Sequence, residues 1–469
     1  MKIVISTAVY PPMINGVAVF SRNLAQGLVK NGHKVLVICP SLTGKNQVKT
    51  EDGVKVARLK SIKIPFYPDQ VNPVPPKKRL FGRELPRLVY KNGFRVSVFP
   101  QNEIKKLFES FRPDVVHCQI SDPIGLSVVH YAKKNRIPVV TTEHNEPDVI
   151  TDPLKLPKPL KKPVDALLSA YFKNRQKHSD FVTMPTQKSI ENLLKNDDEH
   201  FSLIKNLSDF RAQPNSVEFF AKTPIMAVSN GVDLSSFTPG KPSKEFYQKY
   251  HLPEKRPVVL YIGRLDPEKQ VGLALQAFKN ALEKIPDAVF VIVGDGVDRN
   301  NLKSLSEKLE LYTLDLAAKG STQTLAVEIP TKTSPEEPKL KNPAKAQVIF
   351  AGRVLPPDLY DFYKLGDVFI TASEIETQGI VLIEAAATGL PLVAVDAGAV
   401  SEIVKTDKNG YLCEPKNVDE LAAALEKILL DKTLRQKFSQ NSLKLAQPHD
   451  LQNTIKKFEQ IYQTLIKSH

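Results

Sequence analysis

The chain alternates between short, almost wholly apolar runs and longer stretches in which apolar residues return every third or fourth position. KIVIST (2–7), KVLVICP (34–40), DVVHCQ (114–119), PVVTTEH (138–144) and FVTMPT (181–186) predict buried strands. Between them, VFSRNLAQGLVKNG (19–32) and NEIKKLFESF (102–111) carry the helical period, and Gly32 is placed to end the first of these. A second set of strands begins near Pro257: PVVLYIGRL, AVFVIVGDG, QVIFAGRV, DVFITAS and PLVAVDAG. LALQAFKNALEKI and PDLYDFYKLG supply helices among them. Such βαβ alternation implies parallel sheets covered by helices on both faces. The predicted fold class is α/β, with two Rossmann-like domains facing each other across a cleft.

The turn-rich stretch SNGVDLSSFTPG (229–240) separates the two sets, giving expected domains of 1–230 and 231–446. LQNTIKKFEQIYQTLI is an amphipathic helix, and the segment 447–469 that contains it is expected to pack back on the first domain. Two stretches break the alternation. Residues 312–346 are polar and proline-rich, and 196–222 lack the pattern, so both are expected to be surface insertions.

At 469 residues the chain is too long for one core, consistent with two domains. Its 42% hydrophobic and 25% charged residues are those of a soluble globular protein. Cys39, Cys118 and Cys413 lie far apart, which suits a reducing compartment and argues against a disulfide framework or a zinc site. MKIVISTAVYPP reads as a strand stopped by two prolines rather than a signal peptide, and no apolar run approaches the ~18 residues that span a bilayer.

Charge changes the picture more. The net charge is +14, but residues 1–230 hold 35 Lys and Arg against 20 Asp and Glu, and the remainder holds 30 against 31. The excess is densest from Lys55 to Arg95, including Lys77, Lys78 and Arg79, and in KLPKPLKKP (155–163). That half is drawn to an anionic surface, either nucleic acid or acidic lipid. No base-reading motif is present, aromatic content is 7% and there is no tryptophan, so nucleic acid is not the expected partner.

The densest chemical information lies in SEIETQGIVLIEAAATGLP (373–391). Gly379 opens a helix, Ile380, Val381, Leu382 and Ile383 form its first turn, and Gly389 with Pro391 closes it. A helix N-terminus exposes backbone N–H groups and attracts phosphate. Glu376 sits just outside that anion site and Glu384 about one turn inside, so acceptor carboxylates flank it. A ligand with phosphates in its middle and hydroxyls at both ends, such as a nucleoside diphosphate sugar, suits this pattern. DVFITAS before the motif places it at the carboxyl end of a parallel strand, where open α/β sheets bind ligands.

GRLDPEK (263–269) also joins a strand to a helix, with Asp266 as its expected cap and Pro267 at the first position. Arg264 and Lys269 are then candidates for clamping a diphosphate. Gly16, in YPPMINGVAVFSRNLAQGL (10–28), permits close backbone approach to a ligand. His144, Asn145 and Glu146 end a strand, where the histidine is either a structural hydrogen-bonder or a functional group. Gly294 in GDG either approaches a nucleotide or turns the chain. There is no GxGxxG to support a dinucleotide dehydrogenase.

Together these residues resemble family 4 of the retaining glycosyltransferases, which have the GT-B fold, over nearly the whole chain outside the two insertions. SEIETQGIVLIEAAATGLP matches that family's E-x7-E signature. The NGV loop, RLKSIKIPFYPDQ (58–70) and SNGVDLSSF (229–237) resemble the branch that glycosylates membrane lipids, notably diacylglycerol glucosyltransferases and phosphatidylinositol mannosyltransferases. The resemblance implies that Glu376 holds donor-sugar hydroxyls and Glu384 the ribose. It places the amides of Gly379, Ile380 and Val381 on sugar and phosphate, Arg264 and Lys269 on the diphosphate, and Val354 near the base. Gly294 and Gly16 complete the donor site, and His144 matches the histidine that faces the sugar and helps stabilise the transition state. Asn15 stands where the family often has a second glycine.

The implied reaction is hexosyl transfer with retention, in which Arg264, Lys269 and the helix N-terminus meet the charge growing on the leaving phosphate. No carboxylate is placed as a covalent nucleophile, so same-face attack with the leaving phosphate taking the acceptor proton is expected. No DxD-like motif stands at a strand end, and no metal or other cofactor is expected. UDP-glucose is the expected donor, with GDP-mannose and UDP-galactose behind it. The expected acceptor is a diacylglycerol-type lipid, met by an enzyme held peripherally on the cytoplasmic face of an anionic membrane. The alternatives are a soluble or polysaccharide acceptor, and a catalytically silent nucleotide-binding scaffold.

Overall fold

Valine and isoleucine dominate the strands of the first sheet, and burial on both faces explains why they read as unbroken apolar runs. The computed structural model describes residues 1–13, 15–63, 79–80, 83–84, 95–119, 122–144, 161–164, 166–167, 178–197, 201–207, 222–252, 254–316 and 346–469. The chain divides into two compact units, Met1–Val232 with His449–His469, and Asp233–Pro448.

The first unit is built on β1 (Lys2–Ser6), β2 (Lys34–Pro40), β3 (Gln47–Glu51), β4 (Val54–Leu59), β5 (Val115–Cys118), β6 (Val139–Thr142), β7 (Phe181–Met184), β8 (Phe201–Leu203) and β9 (Thr223–Ala227). Their order is β8-β9-β7-β6-β5-β1-β2-β4-β3, parallel except for β3 against β4. The chain leaves β1 toward β2 and β4, then returns to the opposite side of β1 as β5. The loops after β1 and β5 therefore border a point where the winding reverses, the usual ligand position in such sheets.

Helix α1 (Gly16–Lys30) follows β1, and its buried Phe20, Leu24 and Leu28 face the sheet. Asn15, at the position where a second glycine is common, caps this helix, its Oδ1 accepting from Ala18 N at 2.8 Å. Gly32, at φ 85°, takes the left-handed conformation that ends the helix. α2 (Gln101–Phe111), α3 (Pro123–Lys134) and α4 (Gln187–Asp197) complete the described longer helices before residue 232.

The C-terminal helix Leu451–Ser468 places Leu451, Ile455, Phe458, Ile461, Tyr462 and Leu465 in the same apolar cluster as α1, β1 and β2. Gly27 makes that packing close, since a Cβ there would lie 2.1 Å from Ile455 Cδ1.

The second unit contains α5 (Lys244–Lys249), β10 (Val258–Ile262), α6 (Val271–Ala281), β11 (Val289–Val293), α7 (Arg299–Lys308), β12 (Thr313–Asp315), β13 (Val348–Gly352), α8 (Asp358–Leu365), β14 (Val368–Thr371), α9 (Ile380–Ala387), β15 (Leu392–Val395), β16 (Gly410–Cys413), α10 (Val418–Leu430) and α11 (Lys432–Ala446). Its seven strands run parallel in the order β12-β13-β11-β10-β14-β15-β16, and the winding reverses between β10 and β14.

The structure corrects both insertion boundaries. Thr313–Asp315 is the edge strand β12, paired with β13, and Ala346 is buried just before β13, so both ends of the segment 312–346 belong to the packed domain. Residues 317–345 lie outside the described residues. Likewise Phe201–Leu203 is the edge strand β8, inside the expected insertion 196–222, while 198–200 and 208–221 lie outside the described residues. Three-residue strands are too short to display a period. Of the basic stretches, Lys77, Lys78 and residues 155–160 also lie outside the described residues, and Arg79 begins a short ribbon, Arg79–Leu80 against Arg83–Glu84. Among the described residues no helix is long and apolar enough to cross a membrane.

Phe458 is fully buried in the C-terminal helix. Phe458→Ala is expected to destabilise the first unit by about 3–5 kcal/mol, read as a lowered urea midpoint. A loss below about 1 kcal/mol would show that the helix is not part of that core.

Candidate active site

In the second unit the reversal between β10 and β14 brings together the two segments singled out in the sequence. The chain leaves β10 through Gly263 and Arg264, passes a 3-10 turn at Pro267–Lys269, and enters α6. It leaves β14 through Ser373 to Gln378 and enters α9. Lys269 Nζ meets Glu376 Oε1 at 2.7 Å, and Gln270 Nε2 donates to Glu374 Oε1 at 2.8 Å, so two polar links span the gap. The Lys269 and Glu376 side chains are largely buried, at 17% and 14% exposed.

Gly379 is left-handed, with φ 71°, which only glycine adopts freely, and it directs α9 away from the strand. Leu382 and Ile383 anchor that helix in the core, while Ile380 and Val381 remain partly exposed. The amides of Ile380 and Val381 lie in the first turn, where the helix itself supplies no carbonyl four residues back. The Glu376 backbone is held by the loop after β15: Ala399 N donates to its carbonyl at 3.0 Å. Gly398 approaches so closely that a Cβ there would lie 2.5 Å from the same oxygen.

One expectation changes here. Asp266 does not cap a helix. The Arg264 guanidinium takes its carboxylate, and α6 starts only after Gln270, which is itself left-handed. Arg264 is also bonded to Glu268 at 2.8 Å and Lys269 to Glu376, so both expected diphosphate-clamping cations are engaged by acids of their own unit.

Glu384, on α9, accepts a hydrogen bond from the Tyr363 hydroxyl at 2.6 Å. Burial pushes its carboxyl up to about 7, against a smaller lowering by that bond. Gly294 is explained by packing: at φ 146° a Cβ would lie 1.8 Å from Gly263 O, directly before Arg264. Val354 is partly exposed beyond the carboxyl end of β13.

In the first unit, Gly16 is the exposed first residue of α1. His144 follows β6 and is 5% exposed, with its ring edge-on to Phe20. Its Nε2 lies 2.6 Å from Gln119 Oε1. Burial holds its pKa down to about 3, so the imidazole is neutral. Asn145 and Glu146 lie outside the described residues. Sequence reading missed Tyr363, Gln270 and Gln119, whose partners are distant in the chain and carry no local pattern.

This geometry offers a helix start with unpaired amides, flanked by carboxylates and cations, in one unit, and a buried neutral histidine just past the carboxyl end of an interior strand in the other. Residues 14–209 match the model for glycosyltransferase family 4, and residues 242–313 with 328–445 match that for glycosyl transferases group 1. The chain belongs to the family-4 type of glycosyltransferases and has the GT-B fold. It is 26% identical to an alpha-monoglucosyldiacylglycerol synthase of Acholeplasma laidlawii, over 99% of this chain and 98% of that protein. It is 22% identical to a GDP-mannose-dependent alpha-mannosyltransferase of Mycobacterium tuberculosis, over 88% and 83%. Among solved structures, sucrose-phosphate synthase from Thermosynechococcus elongatus matches with a TM-score of 0.66 at 16% identity, covering 100% of both chains. Anabaena HepE in complex with UDP-glucose matches at 0.61 and 16%, covering 98% of this chain and 99% of that one.

Because the Glu384 carboxyl is raised in the folded protein, the stability linked to it is full below its unfolded pKa of 4.5 and is lost as pH rises through about 7. Glu384→Gln removes that loss. Its urea midpoint relative to the parent is expected to climb between pH 4.5 and 8; a pH-independent difference would contradict the assignment.

Proposed function

We propose that the protein transfers a hexosyl group, with retention, from a nucleoside diphosphate sugar to a diacylglycerol-type lipid, and that UDP-glucose is the donor. The observation that carries this reading is the Lys269–Glu376 pair beside the start of α9, at the reversal point of the second sheet. A diphosphate arriving there competes with Glu376 for Lys269 and with Asp266 and Glu268 for Arg264. Glu376, once freed, accepts from sugar hydroxyls, and Glu384 accepts from the ribose. Gly379, Ile380 and Val381 offer backbone to the phosphate, Val354 lies toward the base, and Gly16, Gly294 and His144 complete the proposed donor contacts. Departure of the nucleoside diphosphate is then stabilised by preorganised positive charge, without a metal ion. The name of the Acholeplasma relative supports the glucosyl and lipid parts of the reading. The mannosyltransferase relatives favour GDP-mannose as the second donor to try.

The direct test incubates the protein with UDP-glucose, UDP-galactose or GDP-mannose and diacylglycerol vesicles, with and without EDTA, and follows nucleotide release and labelled lipid. UDP-glucose is expected to give an α-linked glycolipid at a rate that EDTA leaves unchanged. Glu376→Ala is expected to lower kcat/KM about 100-fold while urea unfolding stays cooperative. Unchanged turnover in that variant removes the site assignment, and loss of turnover with EDTA, restored by Mg²⁺, removes the metal-free chemistry.

The acceptor proposal implies peripheral attachment to an anionic membrane on its cytoplasmic face. It is supported by the excess of basic residues in 1–230, and by exposed Ile62, Val98 and Phe99 on and beside the ribbon Ser61–Lys63 with Arg95–Ser97. Each basic residue at the surface contributes about 1 kcal/mol of attraction, which salt screens. Co-flotation with anionic liposomes at low salt, weakened at high salt, is the expected result. Indifference to anionic lipid would contradict this attachment.

A further inference from the structure

Tyr363 lies on α8 and Glu384 on α9, the helices before and after β14, and 21 positions separate them. The Tyr363 hydroxyl donates to Glu384 Oε2 at 2.6 Å. Its ring is fully buried and packs on two others: Phe237 meets it edge-on at 5.3 Å, and Phe369 stacks with it at 6.2 Å. Packed in this way, the phenol does not follow the carboxylate to another position; the carboxylate comes to the phenol.

Burial, and then the neighbouring Glu384 carboxylate, push the Tyr363 phenol well above its ordinary range, so the hydroxyl keeps its proton and acts as the donor. Leaving that buried proton without an acceptor is costly, and Oε2 is the acceptor it has. Glu384 retains some exposure, and its Oε1 has no hydrogen-bond partner among the described residues. The two oxygens of one carboxylate therefore differ: Oε2 is held by the protein, and Oε1 is left for a ligand. The bond from Tyr363 also favours the ionised carboxylate, the form that accepts from a hydroxyl.

We propose that Tyr363 is a positioning residue that holds Glu384 by Oε2 and turns Oε1 toward the ribose, so that the preference of the site for a ribonucleotide over a deoxyribonucleotide depends on Tyr363. This deepens the donor reading above and rests on the ribose contact proposed there for Glu384. Tyr363, being fully buried, acts only through Glu384.

A bond of purely structural value has a different signature. Without it the two helices loosen, and every ligand of the site weakens together. A positioning bond is felt only where a ribose hydroxyl meets Oε1, so a ligand lacking that hydroxyl is indifferent to it.

The test is calorimetric titration of the full chain with UDP and GDP and, for whichever binds, with its 2′-deoxy and 3′-deoxy analogues. The parent protein is expected to bind the ribonucleotide about tenfold more tightly than at least one deoxy analogue, the size of one hydrogen bond to a charged group. Tyr363→Phe keeps the ring and removes only the hydroxyl. It is expected to weaken the ribonucleotide about tenfold and to leave that deoxy analogue unchanged, abolishing the preference. In transfer assays the loss is expected in the donor KM rather than in kcat. Adding Tyr363→Phe to Glu384→Ala is expected to cost no further ribonucleotide affinity, because the two side chains act as one unit.

A preference retained in Tyr363→Phe, or an equal weakening of ribonucleotide and deoxy analogues, overturns the positioning role and leaves the donor reading standing. A parent that binds neither nucleotide, or binds the ribonucleotide and both deoxy analogues alike, overturns the positioning role together with the donor contact it rests on. If Tyr363→Phe does not unfold cooperatively in urea, a crystal structure of the parent with the bound nucleotide decides instead. Tyr363 still on Oε2, with Oε1 on a ribose hydroxyl, upholds the positioning role; Tyr363 released from Glu384 overturns it.

Discussion

A largely buried ion pair, Lys269 to Glu376, spans the place where the second sheet reverses its winding. Opposite charges about 4 Å apart attract by about 4 kcal/mol at an effective dielectric of 20, and desolvation removes part of that gain. The pair is held from both sides. The 3-10 turn after β10 sets Lys269, and Gly398 with Ala399 clamps the backbone of Glu376. Neither charge is left without a partner, which a partly buried site of this kind could not tolerate cheaply. A nucleoside diphosphate sugar answers the same constraint, because its phosphates replace Glu376 at Lys269 while its hydroxyls replace Lys269 at Glu376. On the proposed reading, ligand binding is thus an exchange of partners rather than the filling of an uncompensated charged site. Arg264, bonded to Asp266 and Glu268, obeys the same logic.

The first unit solves a different problem. Its sheet is completed not by its own sequence neighbours alone but by the last helix of the chain, whose Phe458 and Tyr462 lie against His117. That helix brings one hydroxyl to a row of buried polar groups that apolar neighbours alone would leave unsatisfied. A terminal segment therefore does two things at once: it closes an apolar core and places its tyrosine hydroxyl on a buried histidine.

Much of this was legible in the sequence because parallel strands buried on both faces leave unbroken apolar runs, and because a left-handed glycine at a helix start, with glutamates on either side, is a local pattern. The edges were not legible. β3 is mostly exposed, and β8 and β12 are three residues each, so none has an apolar signature of its own. Asp266 has the composition of a cap, but its carboxylate is taken by the Arg264 guanidinium and by the amide of Val297, both outside the turn it was expected to cap. Asn15 reads as a missing glycine and proves to be the α1 cap, because asparagine carries the acceptor that glycine lacks. Tyr363 on Glu384 and Tyr462 on His117 are contacts made by folding, and no spacing in the chain announces them.

The central claim is that the start of α9 and Lys269 form the diphosphate site. A crystal structure of the protein soaked with UDP-glucose tests it most directly. The account predicts the β-phosphate against the amides of Gly379 to Val381, with Lys269 turned from Glu376 onto the phosphate and Glu376 on the sugar. A diphosphate bound elsewhere, with Lys269 and Glu376 still joined, would contradict it.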